Sequence, residues 1–283
     1  MRTPRHTLVQ FSDVHIVPEG ELLMGTLDTL DQMERALAAV ERADLDPAAL
    51  IFTGDLADTG DIRAYRRLRE LVEAAAGRIG TPALFAMGNH DKREAFREGL
   101  LEAVPHGEPH DYVHHAGDVR VVVLDSTVPG THGGGLEESQ LEWLRAELAE
   151  PAAAGTVLAL HHPPIPTPLA FLERLSLENP ERLGAVIKDT DVKIVLTGHN
   201  HHATCGALAG VPVWSAPAVA YRADVFPPKG SYQGVTGVGY TRVDVYDELA
   251  TATFVPVEQA SPVYSFERAK VDAYLAKNPG AQH

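Results

Sequence analysis

A chain of 283 residues with 45% hydrophobic content suits one large domain or two small ones and can bury a full core without staples. That content, with 22% charged residues, excludes wholesale disorder. The 24 Lys and Arg against 39 Asp and Glu leave a formal charge of −15, which excludes a general polyanion binder but leaves room for a local positive site made by metal ions.

Apolar runs alternate with helical periodicity from the start. Residues 7–12 read as a buried strand and 27–43 as a helix; 49–53 is a second strand, followed by a charged amphipathic helix near 61–77. A third strand near 83–87 precedes a helix near 92–102, and this βαβαβ rhythm argues for an α/β core. Strands follow at 119–125, 156–160 and 192–197, with helices near 137–149 and 180–189. After residue 203 the pattern changes to short strands at 203–210, 211–216, 240–246 and 250–257, which predicts a second, more antiparallel sheet packed on the first. The Gly- and Pro-rich stretch 221–239 reads as a long loop of the kind that often carries function. No linker divides the chain, so 1–256 is expected to be one domain and 257–283 a C-terminal appendage with a short helix near 265–276.

With Cys205 the single cysteine, neither an internal disulfide nor a paired-cysteine zinc or redox motif is available. No run approaches the 18 or so apolar residues of a membrane span. Met1–Thr7 leads into a strand without a signal-peptide apolar core, so a cytoplasmic protein is expected.

The informative residues follow the strands. Asp13-Val-His15 follows the first, Gly54-Asp55-Leu-Ala-Asp58 the second and Gly88-Asn89-His90-Asp91 the third; His161-His162-Pro-Pro and Gly198-His199-Asn200-His201 follow those at 156–160 and 192–197. Ligands of open α/β sheets bind beyond the carboxyl ends of the strands, so all five groups are expected to converge on one sheet edge. Asp13 and His15, two apart, can chelate one ion, and His199 and His201, at the same spacing, can reach the same pocket. Asp55 can bridge two ions, Asn89 supplies a neutral oxygen, and His161 supplies another imidazole. Mixed imidazole and carboxylate donors suit Mn, Fe, Zn or Co better than Ca or Mg alone. Each motif alone reads as an ordinary turn; five in order, each after a strand, do not.

This series resembles the calcineurin-like metallophosphoesterases over residues 13 to about 201, with the strands to about 256 fitting that family's second sheet. Phe52–Asp58, Met87–Asp91, Val123–Ser126 and Leu160–Pro166 narrow the resemblance to the bacterial class III cyclic nucleotide phosphodiesterases. The protein Ser/Thr phosphatases carry an Arg where Thr59 stands and a Glu where Asp91 stands, and the purple acid phosphatases a metal-binding Tyr where Asp58 stands, so both branches fit less well.

The resemblance implies a four-layer αββα sandwich of two mixed sheets with a dinuclear site of divalent or mixed-valence transition metals. Asp13, His15, Asp55 and His201 would hold one ion, Asp55, Asn89, His161 and His199 the other, with His90 as catalytic residue beside the scissile phosphate. It implies hydrolysis of 3′,5′-cyclic nucleotides by a metal-bridging hydroxide. Two ions, Asp13, Asp55 and hydroxide leave the site near a single positive charge, complementary to a phosphodiester. The alternatives are a broader phosphodiesterase, acting on glycerophosphodiesters, 2′,3′-cyclic nucleotides or nucleotide pyrophosphates, and a non-catalytic metal-binding scaffold. The expected partner is a small-molecule phosphodiester, not nucleic acid; a homodimer is compatible with the resemblance alone.

Two readings stay open for Asp58, which either orients a ligand histidine or caps the helix beginning near 61. Asp91 is a candidate helix cap, His162 a supporting residue, and His132 a substrate contact on a glycine-rich loop. His202 is expected to face away, His114 and His115 to lie on the surface, Trp143 and Trp214 to be core, and Cys205 to be an inert strand residue.

Overall fold

The computed structural model describes residues 3–43, 45–258 and 261–278. In chain order the elements are β1 (His6–Phe11), α1 (Thr29–Arg42), β2 (Ala49–Thr53), α2 (Ile62–Ile79), β3 (Ala83–Ala86), α3 (Arg93–Gly99), β4 (Tyr112–Ala116) and β5 (Val119–Val123). They continue with α4 (Glu138–Glu147), β6 (Thr156–Ala159), α5 (Ala170–Glu173), α6 (Pro180–Ile187), β7 (Val192–Thr197), β8 (Thr204–Leu208) and β9 (Val211–Ser215). The last are β10 (Arg222–Ala223), β11 (Gly234–Val235), β12 (Gly239–Val245), β13 (Ala250–Pro256) and α7 (Arg268–Lys277).

Two mixed sheets form the centre. One has the order β13-β12-β1-β2-β3, parallel across β1, β2 and β3; the other runs β4-β5-β6-β7-β9-β8, parallel from β5 to β9 with antiparallel edges. Their central strands are buried on both faces, so they read as continuous apolar runs rather than alternating ones. In β1 and β2, Val9, Phe11, Leu50 and Phe52 pack on Met33, Leu37, Tyr65 and Leu68 of α1 and α2. Leu8, Ala49 and Ile51 face the other way, onto Val121, Val123, Val157 and Ile194 of the second sheet. That sheet turns Val122, Leu158 and Val195 toward Leu141, Leu144, Leu183 and Ile187 of α4 and α6. The layers are therefore helix, sheet, sheet, helix, as the resemblance implies.

The expected split of the strands is corrected. Those after residue 203 form no sheet of their own: β8 and β9 extend the sheet of β5 to β7, while β12 and β13 return to β1. The five polar groups follow strands of two stacked sheets, not one. Residues 112–116 form an edge strand that the sequence hides, because Tyr-Val-His-His-Ala has no period-two apolar pattern. The 221–239 loop carries the two-residue strands β10 and β11.

Side-chain hydrogen bonds cross between the two sheets. Gln10 Nε2 donates to the Thr197 carbonyl at 3.0 Å, and Trp214 Nε1 donates to Thr241 Oγ1 at 2.9 Å. Trp143 and Trp214 are half-buried at core margins, and Cys205 is exposed on β8. No residue of α7 is buried. Among the described residues no helix is long and apolar enough to cross a membrane.

Candidate metal centre

The turns after β1, β2 and β7 are left-handed. Asp13, His15, Asp55, His199 and His201 have φ of 51°, 44°, 51°, 68° and 53°, a conformation that costs a non-glycine residue roughly 1–2 kcal/mol each. Local hydrogen bonds offset this strain. The His199 N–H donates to both Asp13 oxygens at 2.9 and 3.2 Å, and the His90 N–H donates to Asp55 Oδ1 at 2.9 Å. Glycine is required where loops meet: a Cβ on Gly198 would run into Ser12 Oγ and the Asp13 carboxylate, and one on Gly88 into Asp55.

These turns bring five side chains to one spot, and Asn89 after β3 and His161 after β6 complete a set of seven. His15 Nε2 lies 3.1 Å from His201 Nε2 and 3.5 Å from Asp55 Oδ2, and His201 Nε2 lies 3.5 Å from Asp13 Oδ1. On the other side, Asn89 Oδ1 lies 2.9 Å from His199 Nδ1 and 3.1 Å from His161 Nε2. His161 Nε2 is 3.3 Å from His199 Nδ1 and 3.4 Å from Asp55 Oδ2. One oxygen of Asp55 thus faces both nests.

The donor set fits metal ions. Ligands about 2.0–2.2 Å from an ion stand about 2.9–3.6 Å apart in octahedral or tetrahedral arrangements, which matches the spacings found. The far nitrogens of three imidazoles are held: His15 Nδ1 by Asp58 Oδ1 at 3.1 Å, His161 Nδ1 by the Thr53 carbonyl at 2.8 Å, and His201 Nδ1 by the Tyr221 carbonyl at 3.0 Å. Acceptors there keep the proton on Nδ1 and turn the Nε2 lone pairs inward. Converging lone pairs repel unless a cation lies between them.

The ionisation of the protein alone says the same. Burial pushes the Asp55 carboxyl up, but the charges of His161 and His15 more than offset it and hold it well below the usual range. Burial pushes His161 down, yet Asp55 beside it leaves it raised to about 9; His15 is likewise raised, against burial, by its bond to Asp58 and the charges of Asp55 and Asp13. Burial lowers His201 to about 4, and burial with the neighbouring imidazoles holds His199 well below the usual imidazole range. Two carboxylates in a dry nest therefore recruit protons where cations would serve, and metal uptake would release them.

Around the nests, His90 holds the Asp58 carbonyl through Nδ1 and sets its ring edge-on to His15, centroids 4.7 Å apart. His132 Nδ1 lies 3.0 Å from Asn89 Nδ2, so the 127–134 loop reaches the site across 43 residues of sequence. Asp58 holds His15, whereas Asp61 caps α2 by accepting from the Arg63 N–H at 2.8 Å. Asp91 does not cap α3. It accepts from the Leu56, Ala57 and Gly88 N–H groups at 3.1, 3.1 and 2.8 Å and from Tyr65 Oη at 2.8 Å, joining the loops of Asp55 and Asn89.

His162 sits beside His161 and His199, 2.8 Å from Ser126 Oγ, and burial lowers it to about 3. His202 is turned to Thr167 and Thr204 instead; His115 is exposed and His114 half-buried on β4. The sequence reading gave no role to Arg93, whose guanidinium pairs with buried Asp125 at 3.0 Å and bonds the Thr127 carbonyl at 3.0 Å, holding the His132 loop. Asp125 follows β5, within the Val123–Ser126 segment of the resemblance, which assigns it no role of its own.

Two cavities adjoin the nests and share Asn89, His90 and His132. One, of about 200 Å³, has Asp55, His199 and His201 on its floor and Phe171, Leu172, Leu175, Tyr221 and Ala223 on its wall. The other, of about 570 Å³, is lined by Asp91, Lys92, Arg93, Glu94 and the 127–132 loop.

Residues 6–203 match the calcineurin-like phosphoesterase family. A Mycobacterium tuberculosis protein named cAMP/cGMP dual specificity phosphodiesterase is 39% identical over 264 residues, 93% of this chain and 83% of the relative. A Rhodococcus erythropolis protein named "probable cyclic nucleotide phosphodiesterase" is 41% identical over 255 residues, 90% of this chain and 84% of the relative. The crystal structure of a dimetal phosphatase from Danio rerio superposes with a TM-score of 0.64 at 17% identity, covering 91% of this chain and 98% of that one, which shows the shared fold.

Proposed function

The chain belongs to the calcineurin-like phosphoesterase family, and we propose that it is a two-metal phosphodiesterase acting on 3′,5′-cyclic nucleotides such as cAMP. The observation that carries the two-metal reading is Asp55 Oδ2, which faces His15 Nε2 at 3.5 Å and His161 Nε2 at 3.4 Å from two donor nests. The names of the relatives supply the substrate class.

In this reading Asp13, His15, Asp55 and His201 hold one ion, and Asp55, Asn89, His161 and His199 hold the second, the ions being Mn, Fe, Zn or Co by donor type. Ions so held would supply Lewis acidity toward phosphoryl oxygens and a water acidified from 15.7 toward about 7. They also account for how a protein of charge −15 draws an anion to one edge. His90 donates from Nδ1 to the Asp58 carbonyl, which leaves Nε2 facing outward; in this reading the ring would serve the leaving oxygen from Nε2 as the imidazolium, with a proton on each nitrogen. Asp58 holds His15 in place, and His132, braced on Asn89, borders the substrate. The reading expects a cytoplasmic protein working on a small molecule, as monomer or homodimer, without a nucleic-acid partner.

The test is kcat/KM of Mn²⁺-loaded protein on 3′,5′-cAMP, 2′,3′-cAMP and an activated aryl phosphodiester, with Asn89→Ala as the blank. A clear preference for 3′,5′-cAMP is expected; comparable or weaker activity on it would establish the broader diesterase instead. His90→Ala should cut turnover about 10²–10⁴-fold with both metals retained. Loss of metal in that variant would refute its role as the acid.

A further inference from the structure

We propose that Phe171 and Tyr232 form the seat for the nucleobase and so set the preference for nucleoside-bearing substrates; this rests on the cyclic-nucleotide reading of the neighbouring nests. Phe171 is 42% exposed and Tyr232 63% exposed, yet their rings meet at 4.7 Å with a 71° interplanar angle. The pair joins α5 to the 221–239 loop, two elements 61 positions apart at these residues. Phe171 lines the smaller cavity, whose floor is Asp55, His199 and His201 and whose wall continues through Leu172, Leu175 and Tyr221.

This wall is braced rather than free. Leu169 and Leu172 pack with Ala223 and Val225, and the Ala223 N–H donates to the His201 carbonyl at 3.0 Å. Tyr221 lies over His201 with centroids 4.2 Å apart. The aromatic rim is therefore fixed relative to the donors that would receive the phosphate.

The chemistry of the two cavities separates their occupants. A 3′,5′-cyclic phosphate has both ester oxygens on one ribose, so a phosphate at Asp55 and His201 holds the base close by, on one side. A base is a flat π-system whose faces need apolar or aromatic cover. The smaller cavity offers that cover, whereas the larger is lined by Asp91, Lys92, Arg93 and Glu94 and, histidines aside, presents no aromatic ring. Stacking is tolerant of base identity, so the rim selects for a base without choosing strongly between adenine and guanine. Loss of one stacking ring costs about 5- to 150-fold.

The experiment compares Mn²⁺-loaded wild type, Phe171→Ala, Phe171→Tyr and Tyr232→Ala on 3′,5′-cAMP and on methyl riboside 3′,5′-cyclic phosphate, the same ring system without a base. Both altered side chains are exposed, so the variants should fold, and KM and kcat are read separately. The wild type should prefer cAMP. Phe171→Ala should lower that preference at least about fivefold, mainly through KM, Phe171→Tyr should restore it, and Tyr232→Ala should lower it as well. An unchanged preference in both alanine variants, or none in the wild type, would overturn the base seat and leave the cyclic-nucleotide reading standing. Failure of the two-metal wild type to hydrolyse either compound would overturn that reading, and the seat with it.

Discussion

Replacing Asp91 tests whether the site is built by hydrogen-bond shape or by charge. Its Oδ1 accepts from the Leu56 and Ala57 N–H groups and from Tyr65 Oη, and its Oδ2 from the Gly88 N–H. Hydrogen bonds to a charged acceptor contribute about 1.5–3 kcal/mol each, so four could reach about 6–12 kcal/mol. Against this stands the cost of the charge. Burial and the neighbouring Asp55 raise the Asp91 carboxyl from 3.8 to about 6, which is about 3 kcal/mol at neutral pH, and less because solvent still reaches the residue. Water entering the space left by alanine would recover part of the loss.

Asp91→Ala should therefore cost about 3–6 kcal/mol of a total near 5–15 kcal/mol. Asp91→Asn keeps the three contacts at Oδ1, loses those of Oδ2 with the Gly88 and Leu56 N–H groups and sheds the buried charge, so it should fall within about 2 kcal/mol of wild type. Urea unfolding followed by circular dichroism, with a constant slope, measures both. Because the folded carboxyl binds its proton more tightly than the unfolded one, its contribution to stability should decline as pH rises from about 4 to about 6 and vanish in the Asn variant. A cost below about 1 kcal/mol for Ala, or equal costs for Ala and Asn, would refute the reasoning.

Asp58→Ala frees His15 Nδ1 and should weaken metal binding about 10–100-fold, read by calorimetric titration with Mn²⁺; unchanged affinity would deny Asp58 its orienting role. His110 is lowered from 6.5 to about 4 by burial and the charge of Arg97, so stability is lost as pH falls from 6.5 toward 4, by up to about 3 kcal/mol. His110→Phe should flatten that slope between pH 7 and 5 in urea titrations, and an unaltered slope would place the proton elsewhere. Chelation of the metals should lower the unfolding free energy by about 2.7 kcal/mol for each site, or about 5 kcal/mol for both, relative to protein held at a hundredfold excess over Kd, and no change in midpoint would contradict ions held by folded-state donors. Of the expected appendage 257–283, Val257 is buried in the core, so the deletion to make is 259–283; it should lower the unfolding free energy by less than about 0.5 kcal/mol, since no residue of α7 is buried, and a larger loss would show that this part too belongs to the domain.

The site was legible for a physical reason. Parallel strands covered on both faces leave runs such as Ala49–Thr53 with no polar interruption, so the first polar residues after them mark the strand ends where ligands gather. Which sheet a run joins was not legible. Val121 and Val122 are equally buried, and nothing in a continuous apolar run says that one faces the other sheet and the next a helix. Asp58 and Asp61 look alike as helix caps, and only the position of His15, 43 residues earlier, separates them. His132 was found as a flexible-loop candidate, but its contact with Asn89 depends on the Arg93–Asp125 pair, a long-range bond that no local spacing encodes.

The two-sheet arrangement has a consequence for how the site works. Asp13, His15, Asp55 and Asn89 follow strands of the first sheet, whereas His161, His199 and His201 follow strands of the second. In the proposed ligand sets each ion takes donors from both, so neither nest exists within one sheet alone. The relative height of β1 and β2 against β6 and β7 then decides whether opposing donors stand about 3 Å apart or too far to share an ion. That height is set beside the nests by Gln10, which reaches from β1 to the Thr197 carbonyl and also donates to Thr53 Oγ1 at 2.9 Å. It is set further off by the Trp214 bond to Thr241. An enzyme of this design needs its inter-sheet core to hold those donors within about 0.5 Å of their working positions. Ala49, Ala86 and Ala159 lie fully buried between the sheets among the larger Leu8, Ile51 and Val157, and an interior packed in this way resists sliding of one sheet over the other, because any shift opens voids or forces overlaps.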